Sequence, residues 1–149
     1  MKAQGGEVVR STQHREVGTH RVSLTEDGKE DALFGTLPAS FPVQQGHLDC
    51  VLTLPESFVP LARSERCPVQ AIRVLDAPIV ATQFQPELNR DSNYERYMHY
   101  IDAYCEEGQT RIEAIVQANR LFSKSPEAST LLRSFLATEV GLRSSEEEA

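Results

Sequence analysis

A short apolar run followed by a polar loop is the feature that most constrains this chain. Ile79-Val80-Ala81 comes directly after Pro78 and leads into Thr82-Gln83-Phe84-Gln85-Pro86-Glu87-Leu88. An uninterrupted apolar run bounded by proline predicts a buried strand, and the polar residues after it predict a loop at the strand's end. The carboxyl ends of buried strands are where α/β folds place their ligand sites. The loop is therefore the first candidate for a functional site.

The residues upstream of the loop predict a β-rich region. Alternation of apolar and polar residues predicts a strand over 17–24, closed by a turn at Thr25–Lys29. Asp31 is expected to cap a short helical turn that ends at Gly35. Further predicted elements are an extended 41–43, a loop at Gly46–Asp49, strands over 50–54 and 58–62, and a hairpin made of 69–75 and 78–83.

Three helices are predicted downstream of the loop. The first starts at a capping box at Ser92–Glu95, and its apolar stripe runs from Tyr94 to Tyr104. The second starts at a capping box at Thr110–Glu113, and the third at Ser125-Pro126. The expected buried faces are Ile112, Ile115, Val116 and Phe122 in the second helix, and Leu131, Leu132, Phe135, Leu136 and Val140 in the third. Gly141 is expected to end the third helix, and a frayed acidic tail is expected at 144–149.

Composition narrows the classes of partner and the compartment. The 149 residues are enough for one domain, and the net charge of −7 with no long basic cluster disfavours nucleic acid and anionic membranes as partners. No run is long enough to cross a bilayer, and the first residues show no signal peptide. Cys50, Cys67 and Cys105 are widely spaced and odd in number, which predicts reduced thiols rather than disulfides. A cytoplasmic protein is expected.

Several short motifs occur in one order along the chain. They are Gly5-Gly6-Glu7-Val8, Glu16-Val17-Gly18, Leu33-Phe34 with Leu37-Pro38, the stretch from Gly46 to Val51, and Gln83-Phe84-x-Pro86-Glu87. Together they resemble the class I glutamine amidotransferases, and the GMP-synthase-like members in particular. The resemblance implies an α/β, flavodoxin-like fold, covered only in its C-terminal portion over residues 1–107, with a helical extension and acidic tail over 108–149.

The resemblance also implies what the loop would do. In that family a cysteine on a Gly-x-Cys-x-Gly elbow attacks the glutamine amide, a histidine activates it, and a glutamate orients the histidine. Gln85 occupies the histidine position and Glu87 the glutamate position, while His47 and Asp49 would line the rim of the substrate cleft. None of the three cysteines has the flanking glycines of the elbow, which the family places, with its first strands, upstream of Met1.

A glutamine side chain cannot accept the thiol proton near neutral pH, so the chain is expected to be inactive as a glutaminase. Glu87 is either the surviving orienter or a local cap. Less favoured alternatives are a metal site made of His14, His20, His47 and Asp49, and Cys50 as a replacement nucleophile. No metal and no cofactor are expected.

Three functional hypotheses follow. The chain is the C-terminal part of a glutamine amidotransferase, with glutamine as its substrate once the site is complete and a missing N-terminal segment or a synthetase as its partner. Alternatively, it is a non-catalytic binding or regulatory module that keeps the fold, or a decaying fragment. Because strands missing from a parallel sheet expose an edge and an apolar face, residues 1–149 alone are expected to aggregate or form homo-oligomers.

Overall fold

A computed structural model describes residues 2–105 and 107–138 as an α/β structure. The strands are β1 (Glu7–Arg10), β2 (Glu16–Leu24), β3 (Ser40–His47), β4 (Asp49–Thr53), β5 (Phe58–Arg63), β6 (Ala71–Val74) and β7 (Val80–Thr82). The helices are α1 (Glu26–Glu30), α2 (Arg90–His99), α3 (Ile101–Tyr104), α4 (Arg111–Leu121), α5 (Pro126–Ser129) and α6 (Leu131–Thr138). Short 3₁₀ turns cover Lys2–Gln4 and Phe34–Thr36.

The sheet has the strand order β3-β2-β5-β6-β7, and β1 pairs with β4 separately. All these pairings are antiparallel, so the described strands contribute no parallel pair to a flavodoxin-like sheet. The β6–β7 hairpin expected from the sequence is confirmed. In the long β2–β3 pairing Glu16 lies opposite His47, which brings two ionisable side chains together.

Two apolar clusters hold the loop and the helices on the sheet. The first contains Phe41 and Phe84, whose rings meet edge to face with centroids 6.4 Å apart, and Leu131 from α6. Phe84 is the apolar anchor of the candidate loop, because it is fully buried there. In the second cluster α2, α3 and α4 pack on β2, and the predicted stripe is confirmed by the burial of Tyr97, Ile101 and Tyr104.

Two predicted local structures upstream of the loop are wrong. The predicted loop at Gly46–Asp49 is instead the end of β3 and the start of β4, with a bend only at Leu48, because pairing to β2 continues as far as His47. The predicted turn at Thr25–Lys29 is α1, whose Thr25 cap accepts the Gly28 N–H. Gly28 faces the Leu61 backbone so closely that a Cβ atom would collide with it. Glycine is therefore needed here for close packing against β5, and not for a turn.

The helix predictions need three corrections. The first helix begins at Asn89, whose side chain caps Asp91 and Ser92, so its capping box lies three residues earlier than expected. In α4 the Thr110 capping box is confirmed, but Ile112 and Val116 are exposed and Ala114 and Ala118 are buried. The Ser125 side chain makes no cap, because it receives a hydrogen bond from the Gln44 amide.

The third helix is split into α5 and α6, and part of its expected face is on the surface. Leu131 is buried, whereas Leu132 and Leu136 are exposed. The predictions for Val140, Gly141 and the tail at 144–149 lie outside the described residues. Within the described residues, no helix combines the length and apolarity that crossing a bilayer requires.

The prediction of three reduced thiols is also wrong. Cys50 and Cys67 form a disulfide that joins β4 to the segment before β6, with Cα atoms 6.0 Å apart. Both residues are buried, and Cys105 is free. Their separation of 17 residues carried no pairing signal in the sequence, because the contact that aligns the two segments is tertiary, a bridge from Val51 to Val69.

Candidate functional site

The loop after β7 is fixed mainly through its backbone. The Gln83 N–H donates to the Gln70 carbonyl at 2.8 Å, and the Gln85 N–H donates to the Gln44 carbonyl at 3.0 Å. The Gln83 side-chain amide donates to the Asp49 carbonyl at 3.2 Å. Since each partner belongs to or adjoins a strand of the fold, the loop has one defined path even though its side chains are polar.

Gln85 points its amide oxygen into the protein. Gln85 Oε1 is buried and accepts no hydrogen bond from the described residues. It lies beside Gly46, which the Arg96 guanidinium and the Tyr104 hydroxyl also approach. A neutral amide at this position can accept or donate a hydrogen bond, but it cannot take up a proton near neutral pH.

Glu87 is exposed, in contrast to Gln85. Its side chain makes no hydrogen bond or ion pair within 2–105 and 107–138. A carboxylate that orients a catalytic base has to accept a hydrogen bond from it, and Gln85 offers no such ring here. Neither reading of Glu87, as orienter or as local cap, gains a contact from this geometry.

His47 is buried and held from both sides of its ring. Nδ1 lies 2.9 Å from the Asp49 carbonyl, and Nε2 lies 3.2 Å from Glu16 Oε2. Both ring nitrogens therefore contact oxygen atoms of the protein itself. The Asp49 side chain, by contrast, is exposed.

Glu16 is the buried carboxylate at the centre of this arrangement. It accepts hydrogen bonds from Ser64 Oγ at 2.9 Å and Gln70 Nε2 at 2.5 Å, in addition to His47. Burial opposes its ionisation, but the hydrogen bonds from His47 and Ser64 and the charges of His20 and His47 outweigh burial and lower the pKa of Glu16. The carboxylate is therefore stabilised as an anion inside the protein.

Buried amides continue the network toward the loop. Gln45 Nε2 donates to Gln70 Oε1 at 2.8 Å, and Asn93 Nδ2 donates to Gln44 Oε1 at 3.0 Å. Sequence reasoning missed Glu16, Gln44, Gln45, Gln70 and Asn93 as parts of the site. Isolated polar residues in strands look like surface positions, and the available signals were the motif Glu16-Val17-Gly18 and the neighbouring pair Gln44-Gln45.

The two less favoured site hypotheses find no support in the geometry. The Cys50 sulfur is engaged in the disulfide and offers no thiolate. His14 Nδ1 contacts the Arg66 carbonyl at 2.6 Å, and His47 is engaged as described. Across the part of the chain that the structure describes, no three or more His, Cys, Asp or Glu side chains come together as metal ligands would.

A small cavity of about 120 Å³ lies beside the loop. It is lined by residues of β6 and β7, by Val51 and Val69, and by Gln83. Ligand pockets commonly measure on the order of 300–1,000 Å³. This cavity is smaller than that range, and neither Gln85 nor Glu87 lines it.

Comparisons with known proteins agree on one family. The family model described as Glutamine amidotransferase class-I matches residues 1–100. The chain is 37% identical over 79 residues to a subunit of "GMP synthase [glutamine-hydrolyzing]" from Pyrococcus abyssi, a match that covers 53% of this chain and 42% of that protein. It is 44% identical over 84 residues to "GMP synthase [glutamine-hydrolyzing]" of Thermosipho melanesiensis, covering 56% of this chain and 15% of that protein. The chain therefore spans less than half the length of these relatives.

Solved structures give the same picture of the fold. A glutamine amidotransferase from Thermotoga maritima superposes with a TM-score of 0.67 at 25% identity, covering 95% of this chain and 57% of that one. A glutamine amidotransferase from Methylobacillus flagellatus, at 21% identity, has a TM-score of 0.62 over 99% of this chain and 61% of that one, which supports the fold alone. These similarities confirm the flavodoxin-like α/β fold class expected from the sequence.

Proposed function

The chain belongs to the class I glutamine amidotransferase family, and on that premise we propose that it carries a GMP-synthase-like acid–base loop that cannot activate a nucleophile. The proposal rests on Gln85, which the resemblance of the loop puts at the position of the family's base, and whose amide oxygen is buried and accepts no hydrogen bond from the described residues. Losing general-base assistance typically lowers a rate on the order of 10²–10⁴-fold. The exposed, unpaired carboxylate of Glu87 is consistent with an orienter that has nothing to orient.

We further propose that His47 has a structural role at the rim of the cleft. Its two nitrogens contact the Asp49 carbonyl and Glu16, so in this proposal it holds the end of β3 against β2. Cys50 is excluded as a nucleophile in the proposal because its sulfur is oxidised.

Glutamine and a synthetase are the proposed substrate and partner. Relatives named as subunits of GMP synthase carry "glutamine-hydrolyzing" in their names and are longer than this chain. The cavity of about 120 Å³ beside the loop is lined by neither Gln85 nor Glu87, and in this proposal glutamine is bound for reaction only when a further segment supplies the nucleophile elbow. The proposed location is the cytoplasm. Disulfides are rare in that compartment, so the Cys50–Cys67 bond puts this location to the test.

The direct test measures glutamate release from L-glutamine by the full gene product that contains this chain. We expect no release above the uncatalysed rate from the unmodified protein. If the product includes an elbow cysteine, Gln85→His should raise the rate. Gln83→His is the matched control, since it places an imidazole two residues earlier, where the native side chain contacts Asp49. Glutamate release by the unmodified protein at rates that Gln85→His does not exceed would contradict the proposal.

A second candidate function is a non-catalytic module that binds glutamine or a regulatory ligand. It is favoured by the way the loop keeps its path, with backbone hydrogen bonds from Gln83 and Gln85 to neighbouring strands, although its base is absent. Calorimetric titration of the full gene product with L-glutamine separates the two candidates. Saturable binding without glutamate release supports the module, and the absence of heat at millimolar glutamine counts against it.

A further inference from the structure

We propose that Arg96 determines which side chains position 85 tolerates, by placing a permanent positive charge beside it. The two groups meet at Gly46. A Cβ atom on Gly46 would lie 3.4 Å from Arg96 Nη1, 3.5 Å from Tyr104 Oη and 3.6 Å from Gln85 Oε1. The guanidinium and the amide oxygen therefore lie within roughly 7 Å of each other, a range over which charges interact strongly in a partly buried site.

The charge of Arg96 is not neutralised nearby. Arg96 is half-buried on α2, and it forms no ion pair within the described residues. The other cation on this side, Arg15, lies 6.0 Å from the centre of the Tyr104 ring and donates to the Tyr104 carbonyl. Both guanidinium groups thus approach the same wall of the site.

The acidic and titratable groups around position 85 do not offset this charge. The Glu16 carboxylate is engaged by His47 and Ser64. Glu87 is two residues along the loop but exposed to solvent, where its field is screened. The Tyr104 hydroxyl donates to the Gly46 carbonyl at 3.4 Å.

This environment suits an amide oxygen and opposes a protonated imidazole. The negative end of the Gln85 carbonyl dipole lies beside the guanidinium, which is favourable, whereas an imidazolium there would meet a like charge. In a cysteine–histidine pair the histidine becomes positively charged as it takes the thiol proton, so a fixed cation opposes that step.

The inference deepens the proposed function and rests on it only for the role of position 85. It is tested by titrating the imidazole introduced by Gln85→His, using NMR of its Cε1–H with the four native histidines as internal references. We expect its pKa to lie about one unit below the usual 6.5, and to rise by about one unit when Arg96→Gln is added. Arg120→Gln, on the exposed side of α4, is the matched control and should leave the pKa unchanged.

A second pair of variants keeps the inference testable if Gln85→His does not fold. A carboxylate introduced by Gln85→Glu has the size of the native side chain and attracts Arg96. Adding Arg96→Gln should therefore lower the unfolding temperature of Gln85→Glu at pH 7 by several degrees more than it lowers that of the native chain. A Gln85→His pKa that does not respond to Arg96→Gln, or an equal unfolding temperature of Gln85→Glu with and without Arg96→Gln, overturns the inference. Neither measurement depends on glutamine turnover. Glutamate release by the native protein would therefore refute the proposed function without affecting the inference about Arg96.

Discussion

Removing the Cys50–Cys67 bond should lower stability by an amount set by the loop that it closes. The bond joins residues 17 positions apart in sequence. In the chain-entropy treatment, a loop of this length contributes about 3 kcal/mol by restricting the unfolded state. For a chain of this size, that loss corresponds to a fall in unfolding temperature of about 10 °C.

The assay compares Cys50→Ala/Cys67→Ala with the unmodified protein, followed by circular dichroism during heating. Alanine is preferred to serine because both positions are buried and a serine hydroxyl would have to find a partner there. Cys105→Ala is the matched control, because this cysteine is free and only half-buried. We expect the control to change the free energy of unfolding by less than about 1 kcal/mol.

Thiol counting provides the refutation independently of stability. Unfolded without reductant, the protein should show one reactive thiol, and three after reduction. Three thiols before reduction, in protein purified without reductant, would refute the pairing. An unfolding temperature that is the same with and without the double substitution would refute the entropic argument instead.

Three further predictions follow from the same structure. The pKa of Glu16 is lowered in the folded protein, so its ionisation stabilises the fold above pH 4.5, the ordinary value, and this stabilisation is lost as the pH falls through the folded pKa. The urea midpoint should therefore fall between pH 5 and pH 3 less steeply in Glu16→Gln than in the unmodified protein. Equal slopes would contradict this. Asp31→Asn should lower the free energy of unfolding in urea by about 2–4 kcal/mol, because the buried Asp31 carboxylate pairs with Arg73 at 2.5 Å. The control Asp102→Asn, at an exposed ion pair, should lower it by less than about 1 kcal/mol. Equal losses of stability would contradict the burial argument. Residues 1–149 expressed alone should self-associate in light scattering because α4 and α6 expose apolar side chains, and a monodisperse monomer would count against this.

Local sequence signals identified the elements whose structure depends on near neighbours. The β6–β7 hairpin followed from two apolar runs around a short turn, and the start of α4 followed from Thr110 and Glu113, which satisfy each other's backbone groups. The stripe from Tyr94 to Tyr104 was found because helical spacing repeats within one segment. In each case the partners are a few residues apart, so the pattern is written in consecutive residues.

The errors arose where distant residues compete for the same groups. Ser125 was expected to cap a helix, but its hydroxyl oxygen instead accepts a hydrogen bond from the side-chain amide of Gln44 on β3. Ile112 and Val116 were expected to face the core, yet α4 buries Ala114 and Ala118 instead. Its last residue, Leu121, approaches Gly18 of β2 so closely that a Cβ atom there would collide with it, so the contact between helix and strand fixes which face of α4 is buried.

The sequence was wrong about the burial of the strand before the loop, because β7 lies at the edge of the described sheet and Ile79 and Ala81 are exposed. By itself the sequence determined the family and the hairpin that leads into the loop, and it predicted Gln85 in place of the family's base. These conclusions depend on residue identity and order, which need no coordinates. Only the tertiary structure decided that Glu16 holds His47 from across β2 and β3, and that Arg96 lies beside position 85. The physical reason is that electrostatic interactions depend on distance in space, and the residues involved are separated by many positions along the chain.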